Sequence, residues 1–236
     1  MDADVSPVYG HLRNPSMVDF AGHMSAVFFV SGCNFRCGFC HNADLMHQAE
    51  TGLRWDYLEH VCQTFLANWV DGAVISGGEP TLSDALDRLI ALFRRMGWAV
   101  KLDTNGSRPD VLRACMDRVD YVAMDIKAGL SGYPDLTGFE DTGRLRESVT
   151  LVQQNARDYE FRTTVIEPFH TDAQMHEIGS LIKGARRYVL QPFVPRDNLP
   201  DEALSAVPRT SQPRMQQLKE IMSAYADEIS VRGETV

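Results

Sequence analysis

Ala26-Val27-Phe28-Phe29-Val30 leads through Ser31 and Gly32 into Cys33-Asn34-Phe35-Arg36-Cys37-Gly38-Phe39-Cys40. Five consecutive apolar residues rich in β-branched and aromatic side chains read as a buried strand. That strand delivers three of the chain's five cysteines within eight residues, at spacing C-x3-C-x2-C. Thiolates this close in sequence can converge on one small object while the strand behind them fixes their direction. A structural zinc site takes four protein ligands, and only His41 is near enough to be the fourth. A four-thiolate iron–sulfur cluster needs another cysteine, and Cys62 and Cys115 stand alone. The spacing therefore favours a [4Fe–4S] cluster held by Cys33, Cys37 and Cys40, with one iron left open to a chelating molecule. Zinc held with His41 stays open as the alternative.

Beyond the cysteines, short β-rich runs alternate with helical periodicity. Leu58, Val61, Cys62, Phe65, Leu66 and Trp69 mark one apolar helix face over 54–69, which makes Cys62 a core residue. Gly72–Ser76, Trp98–Leu102, Tyr121–Met124, Phe161–Val165 and Tyr188–Leu190 read as further strands. Helices are expected between them: one starting near Ser83 as N-cap, one opened by Pro109 and carrying Cys115, one near 142–156, and one capped by Thr171 and Gln174. Residues 128–141 read as a Gly-rich loop, and the proline-rich stretch 194–213 as a surface connection. A last helix and the short run Glu228–Val231 close the chain. Strands alternating with helices imply βαβ units and a parallel sheet. Six units are too few for a closed eight-stranded barrel, so the expected fold is α/β, a partial (β/α)6 TIM-type barrel.

In such architectures chemistry gathers where strands end. Three polar motifs fall there: Gly77-Gly78-Glu79-Pro80, Asp103-Thr104-Asn105-Gly106, and Asp125-Ile126-Lys127. A glycine pair lets backbone approach a ligand closely, and the Glu79 carboxylate could face an ammonium group. Alternation sends Asp125 and Lys127 to one side of their strand, an acceptor beside a cation. Taken singly, each is ordinary: a turn, an Asn-Gly turn dipeptide, and a strand-end salt bridge worth little if exposed.

The spacing Cys-x3-Cys-x-aromatic-Cys, with Phe39 as the aromatic, resembles the signature of the radical S-adenosylmethionine (SAM) enzymes. From about Ser16 onward the chain is similar to the glycyl-radical-enzyme activases, and within them to the activating proteins of anaerobic ribonucleoside-triphosphate reductase. This resemblance implies a [4Fe–4S] cluster on Cys33, Cys37 and Cys40, with SAM chelating the fourth iron. It implies SAM contacts from Phe39, His41, Gly77, Gly78, Glu79, Asp103, Thr104, Asp125 and Lys127, and a monovalent cation near Asp103 and Thr104. The partner is then a glycyl-radical enzyme, with a flavodoxin or ferredoxin as electron donor, since no second cysteine cluster is present. Pyruvate formate-lyase-type activases carry a histidine two residues after a proline matching Pro192; Val194 stands there. That departure favours the reductase-activating branch over a pyruvate formate-lyase-type activase. A radical SAM enzyme acting on a small molecule, such as a deazapurine synthase, is the further alternative. The expected organisation is one radical SAM domain: an N-terminal extension 1–24, a barrel core 25–193, and a C-terminal linker, helix and short strand 194–236. Residues 128–141 are, by position alone, a candidate for gripping the partner's glycyl loop; Arg162 and Gln191 receive no role from the motifs.

Composition bounds the rest. Hydrophobic residues make up 44% of the chain and charged residues 23%, an ordinary globular balance. With 23 basic and 32 acidic residues the net charge is −9, which argues against nucleic acid as the main partner. No stretch approaches 18 apolar residues, so no membrane partner is expected. Residues 1–14 are polar and lack the apolar segment of a secretory leader. Clustered thiols without paired framework cysteines suit a reducing compartment, the cytoplasm. His11, His23, His47, His60, His170 and His176 show no ligand spacing and read as surface or structural.

Overall fold

The computed structural model describes residues 4–47 and 52–233. The extreme ends of the expected N-terminal extension and C-terminal unit therefore lie outside the described residues. Eight strands form one sheet in sequence order. β1 (Val8–His11) is antiparallel to β2 (Ser25–Val30). From β2 onward β3 (Gly72–Gly77), β4 (Ala99–Thr104), β5 (Tyr121–Asp125), β6 (Tyr159–Val165), β7 (Ala185–Pro192) and β8 (Ala226–Val231) are all parallel. β1 and β8 do not pair, so the sheet is a partial barrel, as its unit count implies. The helices are α1 (Trp55–Ala67), α2 (Leu86–Arg95), α3 (Pro109–Cys115), the short α4 (Tyr133–Thr137), α5 (Thr142–Asn155), α6 (Asp172–Leu181) and α7 (Gln212–Met222).

Strand alternation sorts the side chains. Phe28, Ile75, Leu102, Val122, Met124, Phe161, Tyr188 and Leu190 face outward into a core shared with the helices, where Cys62 and Cys115 are also buried. The opposite faces carry Ser76, Asp103, Asp125, Arg162, Thr164 and Gln191 around a cavity. At the other end of the sheet from the cysteines, Phe20 packs on Val27 and Val74.

Five expectations change. The expected extension contains an unexpected strand: β1 pairs with β2, and Phe20 packs on Val27 and Val74; the short run around Gly10 carries too little alternation to announce a strand. Leu66 and Trp69 leave the core face of α1, at 46% and 87% exposure. The helix ends at Ala67 and Trp69 turns left-handed at φ 65°, so helical periodicity no longer governs it. α2 begins at Leu86, three residues beyond Ser83, whose Oγ instead accepts from the Ala85 N–H inside the preceding turn. The 128–141 loop contains α4. The 194–213 stretch is no mere surface connection, because Leu199, Leu204 and Thr210 are buried there.

Candidate active site

The loop after β2 folds back on itself: Gly32 N–H donates to Leu45 O (2.8 Å), Cys33 N–H to Met46 O (3.0 Å) and Cys40 N–H to Cys37 O (3.2 Å). Phe35 and Phe39 are pulled into a second core with Tyr133, Leu145, Phe193, Leu199 and Leu204. With those rings committed, Cys33, Cys37 and Cys40 line one side of the cavity as free thiols. Burial raises all three thiols, Cys37 to about 12, against a lowering pull from the Lys127 ammonium. A metal centre would therefore bind by displacing protons. Three free thiols lining one cavity fit the donor set of a cubane that takes one thiolate per iron, whereas zinc would need a fourth protein ligand.

β3 ends against this loop. Gly77 has φ +114°, and a Cβ there would sit 2.3 Å from Val30 O; one on Gly78 would sit 2.2 Å from Gly32 O. Only glycine permits so close an approach. Gly78 N–H donates to Val30 O (2.8 Å) and Glu79 N–H to Gly32 O (2.7 Å), which fastens the two walls together. Glu79 itself departs from expectation. Its side chain is 1% exposed and accepts from Thr81 N–H (3.1 Å), the Thr81 hydroxyl, the Thr104 hydroxyl (2.8 Å) and Asn105 N–H (2.6 Å). Burial outweighs the four donors and leaves the carboxyl raised above its usual range. The carboxylate is committed to tying β3 to β4, so the motif presents backbone, not an acid, to the cavity.

β4 is longer than its apolar run, so Asp103 and Thr104 are its last residues and face opposite ways. Asp103 accepts from the Ser76 hydroxyl (2.9 Å) and lies 3.3 Å from Arg162 Nη1 and 3.8 Å from Lys101 Nζ. The Thr104 hydroxyl is spent on Glu79. A monovalent cation placed here would share Asp103 with two protein cations and meet a Thr104 hydroxyl that already donates to Glu79 and accepts from Gly106 N–H.

Asp125 and Lys127 do share a side, at 3.0 Å, and Arg162 Nε reaches Asp125 at 2.8 Å. Burial alone would raise the Asp125 carboxyl, but Arg162 and Lys127 outweigh it and hold it well below the usual carboxylate range. The Lys127 backbone is clamped from both sides: its N–H donates to Tyr133 Oη (2.9 Å) and its carbonyl lies 2.9 Å from His170 Nε2. Ile166 N–H donates to His170 Nδ1 (2.9 Å), so Nε2 carries the hydrogen and donates to Lys127. His170 is thus structural, as its lack of ligand spacing implies. Phe39 lines the cavity with its ring 5.9 Å from Lys127 Nζ, and His41 Nε2 sits 2.9 Å from Val194 O at the cavity wall.

Motif reasoning passed over Lys101, Asn105, Glu160 and Arg232, and gave Arg162 no role. Lys101 is 3% exposed and donates to Asp19 O, with Glu160 at 3.8 Å; Arg232 lies 3.3 Å from Glu160. The missed signal was the alternation Lys101-x-Asp103 and Glu160-x-Arg162-x-Thr164, polar residues repeating every second position inside buried strands. The cavity measures about 550 Å³, within the range of small-molecule sites. A larger groove of about 830 Å³, between α3 and α5 on the outside, holds none of the cysteines.

The model of the radical SAM superfamily matches residues 27–182. A protein of Methanocaldococcus jannaschii, provisionally named glycyl-radical enzyme activating enzyme MJ1227, is 30% identical over 225 residues, which cover 92% of each chain. The pyruvate formate-lyase-activating enzyme of Clostridium pasteurianum is 26% identical over 203 residues, 80% of this chain and 81% of that one. A solved domain of the pyruvate-formate lyase-activating enzyme from Bacteroides vulgatus superposes with a TM-score of 0.52 at 17% identity, over 67% of this chain and 98% of its own, and shares the fold.

Proposed function

The chain belongs to the radical SAM superfamily, and from that membership we propose that it generates a glycyl radical on a partner enzyme, the anaerobic ribonucleoside-triphosphate reductase. The observation that carries this reading is the meeting of three free thiols with the ends of parallel strands around one cavity. When bound, a reduced [4Fe–4S] cluster and SAM supply one-electron cleavage of the sulfonium and a carbon-centred adenosyl radical able to take a hydrogen atom from a backbone glycine.

The chain's own residues bind, orient and shield. Cys33, Cys37 and Cys40 would hold the cluster through their thiolates. The backbone carbonyls at Gly77 and Gly78 accept the ammonium of SAM, and Lys127 and Arg162 hold its carboxylate. Asp125 accepts from a ribose hydroxyl, while Phe39 and His41 border the adenine. Asp103 fixes Arg162 in place from the opposite strand. Leu199 and Leu204, packed on the cysteine loop, keep water from the cluster side. A flavodoxin or ferredoxin supplies the electron.

Similarity over nearly the full length to a protein named for glycyl-radical activation supports the partner class. Val194, in place of the histidine of pyruvate formate-lyase-type activases, supports the reductase branch. Anaerobically reconstituted protein given SAM and dithionite is expected to release 5′-deoxyadenosine, and Cys37→Ala is expected to abolish it. Deuterium in the partner's glycine is expected to appear in that product. Undiminished cleavage by Cys37→Ala would remove the cluster assignment. Label arriving from a small metabolite, with none from the glycine, would replace the activase with a small-molecule enzyme.

A further inference from the structure

Cys33 has a side-chain donor beside a backbone one. Phe35 N–H points at its sulfur from 3.4 Å, and the Asn105 side-chain amide from 3.9 Å. The orientation of that amide is fixed by its surroundings. Ser107 N–H donates to Asn105 Oδ1 at 2.9 Å, and a backbone N–H can only donate. The opposite atom must therefore be the NH2 group, which donates to Asn34 Oδ1 at 3.0 Å and faces Cys33 Sγ. The Ser107 hydroxyl also donates to Asn34 Oδ1, at 3.2 Å. Asn105 is 6% exposed, and its own N–H is held by the buried Glu79 carboxylate. The amide cannot turn away without breaking this set, so its donor is prepositioned toward one thiolate.

We propose that Asn105 is a positioning residue that donates a hydrogen bond to the Cys33 thiolate and thereby raises the reduction potential of the cluster. An N–H donor stabilises whichever redox state carries more negative charge on sulfur, which is the reduced one. Hydrogen bonds to sulfur are among the determinants of cluster potential. Phe35 N–H at Cys33 and Asn42 N–H at Cys40 are matching backbone donors, so what sets Cys33 apart among the described residues is the side-chain amide of Asn105. This inference rests on the three-cysteine cluster of the proposed function.

The test is a dye-mediated redox titration of the reconstituted protein, followed by the electron paramagnetic resonance of the reduced cluster, with iron and sulfide counted in parallel. Asn105→Ala, loaded with a full cluster, is expected to be at least tenfold harder to reduce, about 59 mV lower for a one-electron couple. Asn105→Asp keeps the acceptor that Ser107 needs and replaces the donor with a charge, so a larger fall in the same direction is expected. A midpoint within error of wild type in either loaded variant overturns the proposal. In wild-type protein carrying asparagine labelled with 15N at the side-chain amide alone, a nitrogen hyperfine coupling to the reduced cluster is expected that Asn105→Ala lacks. Its absence overturns the proposal equally. A wild-type protein that takes up no iron and sulfide fails the functional reading instead, and the two failures are thereby told apart.

Discussion

Glu79 shows how one residue can look catalytic and be structural. In the sequence it is an acid after a glycine pair at a strand end. In the fold its two oxygens collect four donors, two of them backbone N–H groups that nothing else satisfies. Glu79→Ala strands those groups in a buried site, at about 1–3 kcal/mol for each one left unsatisfied. The expected result is a melting temperature lower by several degrees in the metal-free protein, at roughly 2–4 °C per kcal/mol for a chain of this size. Glu79→Gln, which keeps an acceptor and the shape, is expected to fall between the two. A metal-free Glu79→Ala protein that melts with wild type would show that the carboxylate is free for a ligand after all.

At the scale of elements, the loop after β2 and the stretch 194–207 form one unit. Asp201 N–H donates to Gly38 O at 3.0 Å, and a Cβ on Gly38 would lie 2.8 Å from Asp201 Cβ. Leu199 and Leu204 then fill the space beside Phe35 and Phe39. The proline-rich text of this stretch disguised it, because prolines mark where chain turns and not whether the turns are covered. Leu204→Ala is expected to cost about 2–5 kcal/mol and to open the cluster's outer wall. Visible absorbance of the reconstituted protein should then bleach faster in air than in wild type. Equal bleaching rates would mean that the strap does not shield the cluster.

Across the whole molecule, the barrel interior is held by alternating charges contributed by successive strands: Lys101 and Asp103 from β4, Asp125 from β5, Glu160 and Arg162 from β6. Arg162, 7% exposed, reaches both Asp125 and Asp103 and so joins three strands through side chains as well as through the ladder. The Asp125 carboxyl titrates below its ordinary value of about 3.9, so the folded state prefers it ionised. Its contribution is complete above about pH 4 and drains away as the pH falls toward the folded value. Asp125→Asn removes it. Denaturant titrations are expected to find wild type more stable by a constant margin from pH 7 to about pH 5. Below about pH 4 that margin should shrink. A margin that grows with acid would contradict the assigned direction.

How much of this was legible follows from the range of each interaction. The cysteine spacing, the helix faces of α1, α3 and α5, and six of the parallel strands are local patterns of period 2 or 3.6 or fixed offsets along the chain. Sequence carries those directly, and with them the open barrel and the cubane-type ligand set. Gly77 and Gly78 were legible as a close approach, but what they approach, Val30 and Gly32, lies some 45 residues earlier. The tertiary structure alone decided that Glu79 turns inward, that β1 joins the sheet, that 194–207 covers the cysteine loop, and that Asn105 faces Cys33. Each of these depends on segments brought together by strand pairing, and a hydrogen bond or a buried face between distant residues leaves no periodic mark in the chain.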